Sequence, residues 1–423
     1  MNKQKKILLL GGDHLLLPVI EAAHKLGCYV ITVDYLPNNI AHKYSDEYQY
    51  ASTVDKEAVL EIAKKCQIDA VLTFTDSGVV TAGYVAEQLG LPSPGPYKSI
   101  QILQNKGLFR KFLTEHGFNV PKAKSYTDKD VALKEKDEWS YPVMVKPVDA
   151  AGSKGITKVT HPDQLQKAID FAIEYSFSNE FIIEDFIEKK GETTGSDSFS
   201  ENGKFVFVSF DDQWFDSSCP NPYTPSAHIL PSSMPMDAQS ELKSELQRLI
   251  SLLGMQTTLY NIEARVGTDG KPYIMEVSPR AGGNRIAEIL SLATGENLID
   301  AAVNAALGNP VEIGECKFEG CWANLIIHSQ VEGTYQGIEI EQSIREKNVK
   351  DVFMYVKNGD TIHAFRKAND AIGSMFMHFD TREEMDYALT HQNEWMNVKC
   401  DNMCNALKIS KLEQNSGGGV NLS

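Results

Sequence analysis

The first hundred residues alternate between short apolar runs and amphipathic segments. Apolar runs at 6–10, 28–33 and 70–74 predict three strands. The predicted helices are 14–26, 56–66 and 78–89. Strands that alternate with helices in this way are typical of a parallel, doubly wound sheet. The pattern therefore predicts an N-terminal α/β domain.

Prolines and glycines at 92–96 interrupt this alternation and predict a domain boundary near residue 97. Further helices are predicted at 99–115, 162–175, 237–253 (capped by Asp237) and 284–307. Further strands are predicted at 141–147, 156–160, 180–184, 204–210, 257–266 and 272–277. Residues after 310 show mixed α and β signals, and we expect the tail from Leu412 to be disordered. The expected domains are 1–97, 98–310 and 311–423.

Composition adds limits on function. Hydrophobic residues make up 42% and charged residues 23%, which is typical of a folded globular protein. The net charge of −16 argues against non-specific nucleic-acid binding, which needs a basic surface. No apolar run is long enough to span a membrane, and Gly11 and Gly12 interrupt the one that resembles a signal peptide. The seven cysteines are scattered without a CxxC pair, so we expect free thiols and a cytoplasmic protein.

An Asp269-Gly270 turn between two apolar strands predicts a β-hairpin. With the turn centred between these residues, Glu263 and Glu276 lie directly opposite each other. Opposed carboxylates repel, so the pair indicates a compensating cation such as Mg²⁺. The same face carries other polar side chains, namely Asn261, Arg265, Ser278 and Arg280. The alternative is a solvated polar sheet face.

A second candidate site follows the apolar run that ends at Lys146. Small residues at 150–155, among them Gly152, Ser153 and Gly155, would let backbone N–H groups approach a phosphate. A plain β-turn is the alternative, and no P-loop sequence occurs. Glu184 ends another apolar strand and is a candidate acceptor for an adenine amine or an ordinary strand end.

Two weaker signals stay open. Gly11-Gly12 with Asp34 downstream resembles half of a dinucleotide fingerprint, but the GxGxxG spacing is not met. His228 lies in a proline-rich stretch and is either a substrate contact or a structural histidine.

The order of these elements resembles the ATP-grasp superfamily, particularly its carbamoyl-phosphate-synthase-like and amino-acid-ligase-like members. The segments that carry the resemblance are Asn105-Lys106, Val145–Pro147, Ile183–Ile187, Asn261–Glu263 and Met275–Arg280. The resemblance covers about residues 1–310 and implies a two-subdomain ATP-grasp, with a lid at about 120–190, between the α/β domain and a small α+β domain. Two departures are Ser278, where the superfamily usually has Asn, and the unusual spacing of Glu192.

The resemblance also implies roles. It assigns ATP contacts to Lys106, Lys146, Gly152, Ser153, Gly155, Glu184, Phe186, Ile187 and Glu192. It assigns one or two Mg²⁺ ions, or Mn²⁺, to Glu263, Glu276 and Ser278. It assigns catalysis to Arg280, Lys146 and Ser278. It places the substrate at Gly282, Gly283 and Arg285, to which His228 is added as a candidate.

These roles imply an ATP-dependent carboxylate–amine ligase that acts on small molecules, with an amino acid as one substrate. Phosphoryl transfer needs positioning and neutralised charge, which the lysines, Arg280 and Mg²⁺ would supply. A biotin-carboxylase-like or formate-activating enzyme is the main alternative. A non-catalytic nucleotide-binding module and a dinucleotide oxidoreductase are further alternatives. We expect neither nucleic-acid nor membrane partners, and a homodimer is compatible with the resemblance.

Overall fold

The computed structural model describes residues 4–221 and 223–401, and Leu412 and Cys404 lie outside them. The chain divides into two compact units. The first contains residues 1–213 and 229–319, and the second contains residues 214–228 and 320–423. The predicted domain boundaries at 97 and 310 therefore stay a prediction. Within the described ranges, no helix has both the length and the apolar character needed to cross a membrane.

The first unit begins with a four-stranded parallel sheet, which confirms the predicted α/β start. Its strands, in spatial order, are Glu47–Tyr50, Tyr29–Asp34, Lys6–Leu10 and Ala70–Thr73. Its helices are Leu17–Lys25, Lys56–Cys66 and Asp76–Leu89. The central strand is buried from Ile7 to Leu10 because a parallel sheet is covered on both faces. The half-exposed strand at 47–50 was not predicted, since its sequence EYQY carries no apolar run.

A second sheet of the first unit contains the Lys146 strand. Its strands are Ala123–Tyr126, Phe181–Asp185, Val143–Pro147 and Thr157–Val159 in that spatial order. Its helices are Lys129–Lys134 and Leu165–Tyr175. The single helix predicted at 99–115 is wrong: two helices, Tyr97–Gln104 and Lys106–Glu115, meet at Asn105. Asn105 is extended and caps the second helix through the Leu108 N–H at 2.9 Å, which makes Lys106 the first helical residue.

A third sheet of this unit contains the predicted hairpin. Strand Thr258–Gly267 pairs with Pro272–Ser278 on one side and with Lys189–Glu201 on the other. Lys204–Val208 also pairs with Lys189–Glu201, and Asp212–Phe215 joins it through Gln213 and Thr193. The helix Met236–Leu252 is capped at Pro235, so the predicted cap at Asp237 is wrong. The helix predicted at 284–307 is two helices, Ile286–Thr294 and Leu298–Ala306, because Gly295 at φ +78° ends the first.

The second unit contains antiparallel strands of two sheets together with short helices. One sheet contains Cys321–Ile327, Gly373–Phe379 and Val349–Met354. The other contains Thr361–Ile362, Gly333–Ile340 and Met396–Asp401. The strand Pro225–Leu230 begins in this unit. Its helices are Gln342–Lys347, Arg382–Thr390 and Gln392–Trp395. Single 3₁₀ turns occur at His14–Leu16, Ile40–Lys43, Lys136–Glu138, Pro162–Gln164 and Ala368–Asp370.

Candidate active site

Glu263 and Glu276 are directly opposed in the hairpin, as predicted. The turn differs from the prediction, because Val266 pairs with Pro272 and the loop is therefore centred on Asp269. A bulge at Met275 restores the expected pairing beyond it, so that Asn261 lies opposite Ser278. The hairpin thus places two carboxylates on one face.

The two opposed carboxylates have different charge environments. Burial and the neighbouring Glu276 raise the pKa of Glu263. Burial alone would also raise the pKa of Glu276, but Lys106 and Arg280 outweigh it and lower this pKa. Lys106 Nζ lies 3.4 Å from Glu276 Oε2. Lys106 and Arg280 therefore compensate the charge of Glu276, whereas the charge of Glu263 is compensated less completely.

Lys146 belongs to a buried ionic network. Its Nζ contacts Glu184 Oε1, and Arg110 Nε donates to Glu184 Oε2 at 2.9 Å. Arg110 Nη1 also donates to the carbonyl of Met275 at 3.0 Å. Burial raises the pKa of Glu184, but Arg110 and Lys146 outweigh burial and bring it to about 2. Arg110 therefore joins the strand Phe181–Asp185 to the bulge beside Glu276.

The small-residue loop lies close to Lys106, whose Nζ donates to the Ala150 carbonyl at 2.8 Å. Gly152 and Ser153 have positive φ values of 69° and 59°. A Cβ at Gly152 would meet nothing within 4 Å, whereas one at Gly155 would meet Tyr175 and Pro147 at 3.1–3.2 Å. The loop is therefore tightly packed at one end and open at Gly152.

Arg280 is buried and paired with Asp76, the first residue of the helix Asp76–Leu89. Its Nε and Nη2 lie 2.7 and 2.5 Å from Asp76 Oδ1. Ser278 Oγ donates to the same Asp76 oxygen at 3.3 Å and accepts from Gln104 Nε2 at 2.8 Å. The serine at this position is thus fully buried and held from two sides.

The segment after Arg280 is fixed by Asp197. The Gly282 N–H donates to both Asp197 oxygens at 2.8 and 3.0 Å, and Asn261 Nδ2 donates to Oδ1 at 3.1 Å. A Cβ at Gly282 would lie 2.7–2.8 Å from Asn261 and Asp197, so glycine is required there. Burial raises the pKa of Asp197 to about 7, although Asn261 and Arg280 oppose this effect.

Arg285 lies just beyond, in the left-handed region at φ +59°, and pairs with Glu288 at 2.5 Å. Gly283 has open space around its α-carbon. Burial and the nearby Arg285 lower the pKa of His14 to about 4, so the first loop of the parallel sheet approaches this segment.

Most of the groups predicted to contact adenine already have hydrogen-bond partners within the protein. Both oxygens of Glu184 already accept from cations, and the Phe186 N–H donates to the Pro142 carbonyl at 3.2 Å. The Ile187 carbonyl accepts from Arg265 Nη1 at 3.4 Å. Beside them, Asp185 Oδ1 is buried and has no hydrogen-bond partner among the described residues. Asp185 is therefore the carboxylate of this segment with a free acceptor.

Two predicted residues take no part in the contacts described so far. Glu192, on the strand Lys189–Glu201, pairs with Lys189 at 2.5 Å. His228, on the strand Pro225–Leu230, is 3% exposed and belongs to the second unit. The hairpin, the two lysines, the small-residue loop and the segment 280–285 all belong to the first unit.

Sequence reasoning missed four polar residues of the site: Asp76, Gln104, Arg110 and Asp197. A signal existed for two of them. Asp76 follows the carboxyl end of a parallel strand, where ligands of α/β sheets bind. Arg110 occupies an otherwise apolar helix face between Phe109 and Leu113, four residues after Lys106.

Residues 139–288 match the family model of the ATP-grasp domain. Within the chain, this segment is similar to ATP-grasp domains. The match includes Lys146, the small-residue loop, the hairpin and Arg280, and it agrees with the resemblance that the sequence motifs carried.

The chain is also similar to longer and to comparably sized curated proteins. It is 27% identical over 365 residues to the formate-dependent phosphoribosylglycinamide formyltransferase of Prochlorococcus marinus, covering 84% of this chain and 90% of that protein. It is 24% identical over 328 residues to the carbamoyl phosphate synthase large chain of Ralstonia nicotianae. That alignment covers 74% of this chain but only 30% of the synthase.

Solved structures share the fold. The L-amino acid ligase from Bacillus licheniformis superposes with a TM-score of 0.80 at 21% identity, covering 95% of this chain and all of that one. The phosphoribosylglycinamide synthetase from Anaerococcus prevotii gives 0.72 at 18% identity, covering 94% and 100%. The predicted mixed α/β fold class is thereby confirmed.

Proposed function

We propose that this ATP-grasp protein is an ATP-dependent carboxylate–amine ligase that forms an amide through an acyl phosphate. The observation that carries the proposal is the convergence of opposed Glu263 and Glu276 with Lys106 and Arg280. A nucleotide-binding module does not need two opposed acids beside a buried arginine, whereas phosphoryl transfer does.

The donor set suits Mg²⁺. Two carboxylates on one sheet face supply hard oxygen ligands. Burial and Glu276 raise the pKa of Glu263, and Arg265, Lys146 and Lys106 offset this rise only in part. Glu263 and Glu276 would hold the ion or ions, and Mn²⁺ has the same ligand preference. Ser278 already contacts Asp76 and Gln104, so we assign it to positioning Arg280 and Asp76. The bound ion would neutralise phosphate charge.

The proposed nucleotide contacts combine the residues that the sequence motifs indicated with Asp185. Lys106 and Lys146 would contact phosphates, and the loop around Gly152 and Ser153 would cover them. Asp185, with its unpartnered Oδ1, would accept from the adenine amine. Glu184 then acts on Lys146 as a positioning residue. Backbone groups at 186–187 and Glu192 complete the proposed adenosine contacts.

The reaction has two steps. A substrate carboxylate oxygen attacks the γ-phosphorus of ATP and ADP leaves, while Arg280 and the lysines stabilise the transferred group. An amine nitrogen then attacks the acyl carbon, phosphate leaves and the nitrogen loses a proton. We propose that the carboxylate substrate binds at the backbone of Gly282–Gly283, where a Cβ at Gly283 would meet open space, and at the Arg285 guanidinium.

An amino acid is the proposed carboxylate substrate. The L-amino acid ligase covers 95% of this chain at a TM-score of 0.80. Formate activation is the second candidate, because the formyltransferase relative aligns over 90% of its own length. Cytoplasmic location, a homodimer and a substrate role for His228 remain predictions.

The test is release of ADP and phosphate from Mg²⁺-ATP. The panel contains the proteinogenic amino acids singly and in pairs, formate, bicarbonate and simple carboxylates. The wild type is compared with Glu276→Gln and with Glu174→Gln, a matched control at an exposed helix position. Release that needs an amino acid and disappears only in Glu276→Gln supports the proposal. Release with formate or bicarbonate alone supports the second candidate. No ADP release under any condition contradicts both.

A further inference from the structure

The second unit contains three metal-ligating side chains that meet from separate parts of the chain. Asp216, Cys219 and His328 each offer a ligand atom, and these atoms lie within 4.8 Å of one another. Asp216 and Cys219 belong to the segment 214–228, and His328 directly follows the strand Cys321–Ile327. No role in the proposed ligase reaction uses this cluster.

The histidine is oriented as a ligand. Its Nδ1 lies 2.7 Å from the Ile326 carbonyl, which can only accept, so Nδ1 carries a proton. In the neutral ring, Nε2 then presents a lone pair, and it faces Asp216 Oδ2 at 3.2 Å. At this distance the two atoms need a proton or a metal ion between them. Metal-bound histidines commonly donate their other N–H to a backbone carbonyl in this manner.

The carboxylate is oriented as well. Asp216 Oδ1 accepts from the Ser218 N–H at 2.8 Å and contacts the Ser218 hydroxyl. This leaves Oδ2 directed toward Cys219 Sγ, 3.4 Å away, and toward His328. Gln330 Nε2 donates to Oδ2 at 3.3 Å. A second layer of hydrogen bonds thus fixes both Asp216 and His328.

Two of the three separations between ligand atoms fit a tetrahedral ion, and the third lies within 4.8 Å. Bonds of about 2.0–2.3 Å at tetrahedral angles hold ligand atoms about 3.2–3.8 Å apart. The separations of 3.2 Å (Nε2 to Oδ2) and 3.4 Å (Sγ to Oδ2) fall in this range. Cys219 and His328 are about 6% exposed, whereas the Asp216 side chain is 25% exposed, which leaves water access for a fourth ligand.

We propose that Asp216, Cys219 and His328 bind a divalent ion of the zinc class, with water as the fourth ligand. A thiolate and an imidazole select Zn²⁺ over Mg²⁺. On binding, a bond forms between the ion and Cys219 Sγ, and the thiol proton passes to solvent. The ion ties the segment 214–228 to the end of the strand Cys321–Ile327, which makes this a structural site of the second unit.

The first test uses Co²⁺ as a spectroscopic probe on the full chain without an affinity tag. After removal of metal by a chelator, we expect Co²⁺ to give a sulfur-to-cobalt absorption band that saturates at one equivalent. Oxygen-only binding at Glu263 and Glu276 gives no such band. Cys219→Ser should abolish it, and Cys400→Ser, a control in the same unit, should retain it. A wild type without the band, or equal loss in both variants, overturns the proposal.

The second test does not depend on a folded variant. Cys219 and Cys400 of the native chain are alkylated with iodoacetamide, with and without Zn²⁺, and the modified peptides are quantified. We expect Zn²⁺ to slow modification of Cys219 by about tenfold or more, because the thiolate that reacts with iodoacetamide is then bound to the ion. The modification rate of Cys400 should stay unchanged. An unchanged rate at Cys219 in excess Zn²⁺ overturns the proposal.

Discussion

Asp76 holds the guanidinium of Arg280, with Nε and Nη2 of the arginine 2.7 and 2.5 Å from one carboxylate oxygen. The contact connects the helix Asp76–Leu89 with the segment that directly follows the hairpin strand Pro272–Ser278. Burial would lower the pKa of Arg280, but Asp76 outweighs it and raises this pKa. Asp76 therefore keeps a buried cation in place, and we propose that this cation acts in phosphoryl transfer.

Asp76→Asn should lower kcat more than it raises KM for ATP. The amide keeps the size of the side chain but removes the charge that orients Arg280, and small displacements in an active site cost up to about 10²-fold in rate. Steady-state kinetics on the identified substrates would measure both constants. Asp137→Asn, at an exposed position, is the control. Equal kinetics for the two variants would remove Asp76 from the account.

Arg110→Met should destabilise the protein by about 3–5 kcal/mol, because it leaves Glu184 buried with only Lys146 as partner. It also removes the hydrogen bond to the Met275 carbonyl in the bulge. Urea unfolding would measure the change. Lys111→Met, on the exposed side of the same helix, should change stability by less than about 1 kcal/mol. A similar loss in both variants would contradict the proposed network.

Asp197 predicts a pH dependence of stability. Its pKa is about 7 in the folded protein, against 3.8 for the free side chain, so between these values the folded state binds the extra proton. Its contribution is therefore complete below about pH 4 and is lost as pH rises through about 7. Asp197→Asn should flatten this part of the stability profile, measured by unfolding from pH 4 to 8.

The exposed Asp163→Asn should leave the slope between pH 4 and pH 7 unchanged. Other groups titrate in this range, so the decisive quantity is the difference between wild type and variant. A difference that does not change with pH would show that Asp197 is ionised throughout.

Glu263→Gln should weaken Mg²⁺ activation of ADP release. The amide removes one of the two opposed carboxylates, and with it the repulsion between Glu263 and Glu276 that favours a bound cation. We expect a higher Mg²⁺ concentration for half-maximal rate and a maximal rate lowered by about 10²-fold. Glu174→Gln serves again as control. An unchanged Mg²⁺ titration in Glu263→Gln would exclude this residue as a ligand.

The hairpin illustrates what a sequence can predict. A turn centred on Asp269 with regular pairing would place Glu263 opposite Met275 and Glu276 on the other face. The bulge at Met275 corrects this, so the predicted opposition of the two acids is confirmed although the predicted turn centre is wrong. Bulges depend on tertiary contacts such as the Arg110 bond to Met275, which no local pattern records.

The other differences have equally physical causes. Helical periodicity continued through Asn105 and Gly295, but a side-chain cap and a left-handed residue end the helices there. Asp76 and Arg280 are 204 positions apart, and only the fold brings them together. Local sequence patterns were sufficient to predict the apolar strands, the hairpin acids and the lysines. They were not sufficient to predict the residues that hold these side chains in place, such as Asp76 and Arg110.

The most direct test follows the oxygen atoms of the substrate. An acyl-phosphate mechanism transfers one carboxylate oxygen to the released phosphate, because phosphate departs with the oxygen that attacked ATP. The enzyme would be incubated with Mg²⁺-ATP and amino acids labelled with ¹⁸O in their carboxylates, and the phosphate analysed by mass spectrometry. The account predicts that the wild type releases more phosphate than Glu276→Gln and that each additional phosphate carries one ¹⁸O atom. Phosphate released without ¹⁸O would contradict it.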